Sequence, residues 1–315
     1  MEMRAIGTSG MATPPLVLGG NVFGWTADEA ASFAVLDGFV AGGGRMIDTA
    51  DVYSAWVPGH VGGESEAAIG RWLKRSGKRD AVLIATKVGM LDGDGGSGLA
   101  PARIVAAAEE SLRRLGTDRI DLYYAHRDDP AQPLDAVADA FDRLVRAGKV
   151  RAIAASNYSA ERLAAILDVQ EQGGLARFQA LQPEYNLMAR DGFEGPLQQL
   201  CLARGLAVLP YYALAAGYLT GKYRTAADLA QSVRGNRVRL YLEGKGPAVL
   251  AAMDALAEET GATPAQLALA WLAARPGVAA PIASATGVAQ LDELMGAMRL
   301  TLSAGQVARL DAAAA

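Results

Sequence analysis

Short apolar runs alternate with longer amphipathic runs along the chain, from residue 15 to its end. Eight of the apolar runs have the length of strands and lack the strict alternation of a sheet that faces water. Such runs are typical of parallel strands that helices cover. The eight predicted strands are residues 15–20, 45–50, 81–88, 120–126, 150–157, 178–185, 206–212 and 279–285.

Helical patterns occupy the segments between these strands. The first, residues 26–40, begins with Thr26 as its predicted N-cap, and Glu29 follows at the spacing of a capping box. Two later runs end at a glycine after basic residues, which is a usual stop signal. The further predicted helices are residues 64–77, 103–116, 134–149 and 159–174.

Eight strands with helices between them predict an α/β fold of the (β/α)8 type. A doubly wound open sheet is the alternative, and the count of eight strands favours the barrel. No linker, charge block or sequence repeat divides the chain. We therefore predict a single-domain TIM barrel over residues 1–315, with a short N-terminal β segment and a C-terminal helix.

Composition and charge exclude several classes of function. The 315-residue chain has a net charge of −4 and no long basic or apolar run, so we expect neither nucleic acid binding nor a membrane span. Cys201 is the only cysteine, which excludes an internal disulfide and indicates a reducing, cytoplasmic location. With His60 and His126 as its only histidines, the chain is expected to hold no metal.

One long stretch, residues 214–246, lacks a regular pattern and follows the seventh predicted strand. It carries six basic residues against Asp228 and Glu243, although the whole chain is acidic. Long loops in compact domains are usually functional or disordered. A basic loop at this end of a barrel indicates that it covers an anionic ligand such as a phosphate. A solvated surface loop is the alternative.

Residues 93–98 match the dinucleotide-binding pattern G-x-G-x-x-G, after an apolar run and before a helical one. Asp92 and Asp94 would place like charge against a pyrophosphate, and we expect no basic residue nearby to compensate. We interpret this stretch as a flexible loop between the third strand and its helix.

Polar side chains gather at the carboxyl ends of the predicted strands, where a barrel places its chemistry. Asp48 and Tyr53 follow the second strand, Lys87 ends the third and His126 ends the fourth. Each alone has a structural explanation, such as a turn cap or a core position. The apolar run before Lys87 implies a buried lysine, however, and a buried lysine needs a partner. The combination of these four residues therefore favours a catalytic site.

A lysine beside a tyrosine has a specific chemical use. A phenol with a pKa of about 10 is a poor proton donor at neutral pH, and a neighbouring ammonium stabilises its phenolate. Lowering the pKa of Tyr53 to about 7–8 requires roughly 3–4 kcal/mol, which one close cation can supply in a poorly solvated site. Asp48 would keep Lys87 charged, and His126 would donate to an oxygen that becomes negative. This set predicts carbonyl reduction, with Tyr53 as the proton donor.

The segments DTADVY, TKVG and DLYYAH resemble the catalytic segments of the aldo-keto reductase superfamily. AASNYS, LQPEYNL and LPYYALAAGYLTGKY resemble its cofactor-binding segments, so the resemblance covers nearly the whole chain. It implies an NADPH-dependent enzyme that reversibly reduces a small aldehyde or ketone to an alcohol without a metal. It also implies a catalytic tetrad of Asp48, Tyr53, Lys87 and His126.

The resemblance further implies which residues hold the cofactor. Three polar residues would bond the nicotinamide amide, an aromatic ring would stack on the nicotinamide, and basic residues would approach the phosphates. The segment SATGVAQLDE would bind the adenosine end. The implied cofactor-binding residues are Gly20, Asn21, Ser156, Asn157, Gln182, Tyr211, Leu214, Lys222, Arg234, Ser284, Thr286, Gln290 and Glu293.

This chain departs from the family pattern in two places. Thr286 stands where many relatives have an arginine that faces the 2′-phosphate, and Leu294 replaces a frequent asparagine, so NADH is possible as well as NADPH. The loop 54–63 is longer and more apolar than the glycine loop of relatives. Trp56 and His60 are therefore candidates for the substrate pocket, with a flexible surface loop as the alternative.

Two other functions stay open at this point. One is a nicotinamide-binding sensor or regulatory subunit with vestigial turnover. The other is a barrel lyase or isomerase in which Lys87 forms a Schiff base. The sequence names neither the physiological substrate nor the oligomeric state.

Overall fold

The computed structural model describes residues 2–231 and 235–315, in which helices surround a sheet of eight parallel strands. The described strands are β1 (Arg4–Ala5), β2 (Ala12–Thr13), β3 (Val17–Gly19), β4 (Met46–Asp48), β5 (Leu83–Val88), β6 (Ile120–Ala125), β7 (Val150–Ser156), β8 (Phe178–Gln182), β9 (Ala207–Val208) and β10 (Ile282–Ala283). The described α-helices are α1 (Glu29–Ala41), α2 (Glu64–Ser76), α3 (Pro101–Leu115), α4 (Leu134–Arg146), α5 (Ala160–Gln172), α6 (Pro196–Ala203), α7 (Gly235–Val238), α8 (Gly246–Thr260), α9 (Pro264–Ala273), α10 (Val288–Ala297) and α11 (Ala304–Ala313).

The eight strands close into a barrel. They neighbour one another in chain order from β3 to β9, and β10 pairs with β3. At the remaining seam, Ile282 N donates to Pro210 O and Ala279 N donates to Val208 O, each at 2.8 Å. The predicted (β/α)8 barrel is therefore confirmed. All eight predicted strands are present with narrower bounds, because the hydrogen-bonded ladder ends before the loop residues begin.

Apolar side chains, large and small, fill the interior of the barrel. Successive strand residues point to opposite faces, so every second residue of a strand faces inward. The N-terminal hairpin β1–β2 closes one end, because Ile6 and Met11 between its strands join the interior cluster. The inward-facing members of that cluster include Val17, Met46, Leu83, Ala85, Leu122, Tyr124, Ala152, Ala154, Ala180, Ala207 and Ile282.

Helix α1 begins later than predicted, because its N-cap is Asp28 and not Thr26. The Asp28 side chain accepts a hydrogen bond from Ala31 N at 2.8 Å, which satisfies one of the free N–H groups of the first turn. Both residue types cap helices well, so the sequence alone did not separate them. No helix of the described residues is long and apolar enough to cross a bilayer.

Two stretches without a regular pattern are more ordered than the sequence indicates. Within residues 214–246, short 3-10 turns cover Ala215–Thr220, Ala226–Gln231 and Arg239–Leu242. In the glycine-rich stretch, Gly93 and Gly96 exchange backbone hydrogen bonds of 3.0 and 3.1 Å.

The expectation that no basic residue lies beside the glycine-rich stretch is wrong. The Arg103 guanidinium donates to Asp94 O at 3.0 Å, because the first turn of α3 packs back against this loop. The same guanidinium also binds Glu110 through two bonds of 3.0 Å. The charge of Arg103 is thus already used within the protein.

Candidate active site

The polar layer at one end of the barrel follows from the two-residue period of its strands. In β5, Leu83 and Ala85 face the apolar interior, and Lys87 continues the same face toward the carboxyl end of the strand. In β4, Met46 faces the interior and Asp48 follows two residues later. Both charged side chains therefore enter the same end of the barrel.

Lys87 stands at the centre of this layer. Its Nζ donates to Asp48 Oδ1 at 2.5 Å, to the Thr49 carbonyl at 2.8 Å and to Tyr53 Oη at 2.8 Å. An ammonium has three N–H donors, so all of them are used. Because Lys87 is 0% exposed, little water screens its charge from the phenol oxygen of Tyr53.

The second oxygen of Asp48 is bonded as well. Gln182 Nε2 donates to Asp48 Oδ2 at 2.8 Å, and Ser156 Oγ donates to the Gln182 carbonyl at 2.8 Å. The Asp48 carboxylate is thus fixed between a cation and an amide. This donor of Gln182, implied by the resemblance to serve the nicotinamide amide, bonds Asp48 here.

The pKa of Tyr53 differs from the value that the sequence analysis predicts. Burial raises the pKa of Tyr53 above its usual value, and Asp48 adds to this effect, while the Lys87 ammonium opposes it. The net direction is upward, so the expected pKa of 7–8 is wrong for the resting site. Desolvation of the phenolate is the larger effect, and the phenol stays protonated at neutral pH.

The charges of Asp48 and Lys87 depend on each other. Burial by itself lowers the pKa of Lys87, but Asp48 and Tyr53 more than offset this, and the net shift is upward. Burial raises the pKa of Asp48, and although Lys87 and Gln182 act against that rise, the net shift is upward. Lys87 is therefore held as an ammonium.

His126 lies beside Tyr53 as a neutral imidazole. Their ring centroids are 6.1 Å apart, and His126 is 8% exposed. Burial holds the pKa of His126 well below its usual range, and the positive charges of Lys87 and Arg127 lower it further. A neutral imidazole keeps one N–H donor. In the described part of the chain, the buried Nδ1 of His126 has no hydrogen-bond partner.

Asn157 joins three neighbouring segments at the mouth of the barrel. Its Nδ2 donates to the His126 carbonyl at 2.9 Å and to Ser156 Oγ at 3.1 Å. Its Oδ1 accepts a hydrogen bond from Tyr211 Oη at 2.8 Å, on the exposed side. Ser156, Asn157 and Tyr211 therefore lie together, as their implied common role requires.

Residues after β3 and β10 meet at a neighbouring point of the rim. Gly20 N donates to Asp48 O at 2.7 Å, and Ser284 Oγ donates to Asn21 Oδ1 at 2.6 Å. A Cβ at Gly19 would lie 2.5 Å from Ser284 Oγ, so the close approach of the two strands requires glycine there. Gly20, Asn21 and Ser284 are thus brought to the end of the barrel that holds Lys87.

The other implied cofactor residues lie farther along the same face. Gln290 Oε1 accepts from Thr286 N at 2.9 Å and from Thr286 Oγ1 at 3.0 Å, and it thereby ties the residue before the N-cap to the first turn of α10. Lys222 is exposed and lies 5.0 Å from the Tyr223 ring centroid. The remaining candidates are Leu214, half-buried at the start of a 3-10 turn, Glu293, half-buried on α10, and Arg234, which lies outside the described residues.

The two candidates for the substrate pocket differ in their surroundings. Trp56 packs edge-on against Tyr53 with ring centroids 5.9 Å apart, and it is 49% exposed. His60 is half-buried, and among the described residues its Nδ1 is buried without a partner. Trp25, which packs against Trp56 at 5.6 Å, was missed by sequence reasoning. Its position just after the first strand was the available signal.

Comparisons with known proteins show the family to which the chain belongs. The family model described as "Aldo/keto reductase family" matches residues 15–315. Similar relatives include the uncharacterized oxidoreductase YrpG of Bacillus subtilis, 34% identical over 96% of this chain and 92% of the relative. Aldo-keto reductase yakc [NADP(+)] of Schizosaccharomyces pombe is 32% identical over 88% of this chain and 80% of its own length. L-glyceraldehyde 3-phosphate reductase of Escherichia coli O157:H7 is 30% identical over 99% of this chain and 92% of its own length. The chain therefore belongs to the aldo/keto reductase family and is an oxidoreductase.

Proposed function

We propose that this protein catalyses the reversible, NADPH-dependent reduction of an aldehyde or ketone to an alcohol. The observation that carries the proposal is the buried ammonium of Lys87, which joins the Asp48 carboxylate to the Tyr53 hydroxyl. The name of one relative, yakc [NADP(+)], supports the choice of cofactor.

Tyr53 is the proton donor in this proposal. Its raised pKa keeps the proton on Oη in the resting site, where a substrate oxygen can take it. When the proton leaves, negative charge develops on Oη, 2.8 Å from Lys87 Nζ. Because both groups are poorly solvated, the ammonium stabilises that charge more strongly than it could in water. Asp48 keeps Lys87 charged and directed at Tyr53.

His126 supplies the second polar contact to the substrate oxygen. As a neutral imidazole beside Tyr53, it can donate one hydrogen bond without competing for the proton. His126 follows β6, the strand that pairs with the one that carries Lys87. The carbonyl oxygen thus meets two donors, one of which transfers its proton.

The residues around this layer fit a nicotinamide nucleotide by their chemistry. Asn157 is exposed, and its amide oxygen suits a carboxamide because the bond that it accepts from Tyr211 is exposed and therefore easily exchanged. Ser156 is buried behind it and accepts a hydrogen bond from the Asn157 amide. Lys222 forms no ion pair with a described residue, and its exposed ammonium suits a phosphate. A bound nicotinamide nucleotide supplies the hydride to the carbonyl carbon.

A Schiff-base mechanism fits the site poorly. A lysine nucleophile must lose its proton, whereas Lys87 donates all three hydrogens and its pKa is raised. Its nitrogen lone pair is thus unavailable. The lysine acts here as a fixed positive charge.

The test is the oxidation of NADPH, with NADH in parallel, against a panel of aldehydes and ketones. Replacing Tyr53→Phe removes the proton and leaves the ring, so we expect turnover below about a tenth of the parent rate. NADPH binding, followed by protein fluorescence, should persist. Unchanged turnover would contradict the role of Tyr53. A parent protein that binds NADPH tightly but turns over no carbonyl would favour the sensor instead.

A further inference from the structure

Strained backbone gathers at one side of the barrel mouth. In the described part of the chain, the residues other than glycine with a positive φ are Asn157 at +55°, Tyr212 at +52°, Ala215 at +47° and Ala216 at +57°. Three of these four lie close together after β9, and Asn157 accepts a hydrogen bond from Tyr211, the residue just before them. A left-handed conformation is unfavourable for a residue with a Cβ, so it persists only where the surroundings enforce it. Such backbone clusters at functional sites.

The left-handed turn, residues 212–217, is tied to itself by local backbone bonds. Ala215 N donates to Tyr212 O at 2.7 Å, and Gly217 N donates to Leu214 O at 2.8 Å. Gly217, with a φ of +97°, extends the same conformation. Bonds between such close neighbours set the shape of the turn but not its place on the barrel. The contact that fixes its place comes from the loop after β8.

Asn186, in the loop after β8, anchors the left-handed turn. Its side chain is 0% exposed, and its Nδ2 donates to the Tyr212 carbonyl at 3.0 Å. Its Oδ1 accepts from Met188 N at 2.8 Å and from Ala189 N at 3.0 Å, which fixes the amide within its own loop. An amide side chain can donate and accept at once, and a buried polar group that loses its partner is costly. The Asn186 amide therefore binds the first residue of the turn to the neighbouring loop.

Tyr211 connects the left-handed turn to the candidate active site. Tyr211 forms an isolated parallel bridge with Glu184, and its Oη donates to Asn157, whose amide donates to the His126 carbonyl. Burial raises the pKa of Tyr211 to about 12, and the charges of Glu184 and Tyr53 contribute to this rise. The Tyr211 phenol is thus within electrostatic range of the proton donor. Because Tyr211 directly precedes the turn, the place of the turn sets the place of this ring.

We propose that Asn186 is a positioning residue for the nicotinamide nucleotide. Its buried amide holds the left-handed turn in its strained conformation, and the turn presents the Tyr211 ring at the mouth of the barrel before the nucleotide arrives. The proposal rests on the proposed reductase function and adds to it a fully buried residue that acts through Tyr212. A preorganised surface loses less entropy on binding, so Asn186 raises the affinity for the nucleotide. The proton transfer remains with Tyr53.

The test measures the Kd of NADPH without a carbonyl substrate, by quenching of protein fluorescence. In Asn186→Leu we expect the Kd to rise about tenfold, because the Tyr212 carbonyl loses its side-chain partner and the turn loses its anchor. The kcat at saturating NADPH should stay within about threefold of the parent value, so the loss appears in the KM of NADPH. The matched control is Gln170→Leu at the other end of β8, where another amide that is 0% exposed accepts from Phe178 N at 3.0 Å. This control should lower the free energy of unfolding and keep the parent Kd.

A second substitution tests whether the effect runs through the strained backbone. Ala216→Gly removes the Cβ that makes a φ of +57° unfavourable. Added to Asn186→Leu, it should recover part of the affinity for NADPH, because the turn then needs less support from its anchor. Asn186→Asp keeps the two acceptor bonds and loses only the donor while ionised, so it replaces Asn186→Leu if that variant does not fold.

An unchanged Kd in the Asn186 variants would overturn the proposal, and so would an equal rise in Gln170→Leu. A parent protein that binds neither NADPH nor NADH would instead contradict the proposed function. In that case amide hydrogen exchange of the protein without nucleotide still decides the role of Asn186. Faster exchange confined to residues 211–219 in Asn186→Leu supports its role in holding the turn, and unchanged exchange there overturns it.

Discussion

Two clusters of buried charge lie on the two faces of strand β5, and they are built differently. On the inner face, Lys87 holds Asp48 and Tyr53 in bonds of 2.5 and 2.8 Å. On the outer face, Thr86 Oγ1 donates to Glu66 Oε1 at 2.5 Å, and Arg114 Nε binds the other oxygen of Glu66 at 2.6 Å. Adjacent residues of one strand thus enter two separate polar networks.

The aspartates of the two clusters show the difference most clearly. Both oxygens of Asp48 are hydrogen-bonded, whereas within the described residues neither buried oxygen of Asp51 has a hydrogen-bond partner. The Arg103 guanidinium lies 3.8 Å from Asp51. Burial raises the pKa of Asp51 to about 7, and the charge of Glu66 adds to this rise. Burial raises the pKa of both aspartates, and they differ in that each oxygen of Asp48 has a hydrogen-bond partner that opposes the rise.

Removing one buried cation from each face of β5 tests whether the two networks have different roles. Lys87→Met leaves Asp48 unpaired and Tyr53 without its ammonium, so we expect turnover to fall by about 10²–10⁴. Arg103→Met removes the cation 3.8 Å from Asp51 and both hydrogen bonds to Glu110, which keeps, within the described residues, only the ion pair with Arg114 at 3.7 Å, and this should cost about 3–5 kcal/mol of unfolding free energy. Turnover per folded molecule should stay within about threefold. Steady-state kinetics and urea unfolding measure the two effects.

The two variants are controls for each other. If Arg103→Met lost turnover as Lys87→Met does, the outer network would have to position Tyr53 and could not be purely structural. If Lys87→Met kept the parent rate, the inner network would hold no catalytic charge.

The raised pKa of Asp51 predicts how the free energy of unfolding depends on pH. The folded-state pKa of Asp51, about 7, lies above the unfolded value of about 3.9. The folded chain therefore binds this proton more tightly, and the free energy of unfolding falls as pH rises from about 4 to about 7, by up to about 1.4 kcal/mol per unit. Glu66 strengthens the effect, whereas Arg103 and Arg114 oppose it. Asp51→Asn should flatten the curve in this window.

Chemical denaturation at several pH values measures this slope. Because an asparagine side chain does not titrate, the Asp51→Asn variant should gain stability relative to the parent as the pH rises through this window. We expect a gain of roughly 1–3 kcal/mol between about pH 5 and about pH 8. Parallel curves for the two proteins would show that Asp51 does not take up a proton in that window.

Much of the site was accessible from the sequence because it depends on period and topology. Lys87 ends an apolar run, and the carboxyl ends of neighbouring parallel strands meet at one end of a barrel. These facts alone predict that Asp48, Lys87 and His126 lie in one layer. The contact between Lys87 and Tyr53 then needs only a short loop after β4.

What the sequence could not supply depends on long-range packing. Trp25 and Trp56 are 31 positions apart, and no local pattern predicts their ring contact. The packing of Arg103 on the glycine-rich loop depends on how α3 turns back. The sign of the Tyr53 pKa shift depends on how much water is excluded, which composition does not report. The start of α1 could not be predicted to the residue either, because Thr26 and Asp28 are both good N-cap residues and lie two positions apart.

Tyr124 carries a second phenol near the Lys87 ammonium, and its removal should have only a small effect on stability and turnover. Lys87 Nζ lies 4.6 Å from the Tyr53 ring centroid and 5.9 Å from that of Tyr124. Tyr124 is 0% exposed, and its hydroxyl, near Gln182, has no hydrogen bond of good geometry to a described residue. Tyr124→Phe removes that unsatisfied group and keeps the ring. We expect a change in unfolding free energy within about 1 kcal/mol and a kcat within about threefold of the parent. A tenfold loss of kcat would show that the Tyr124 hydroxyl contributes to turnover although it is not hydrogen-bonded to Lys87.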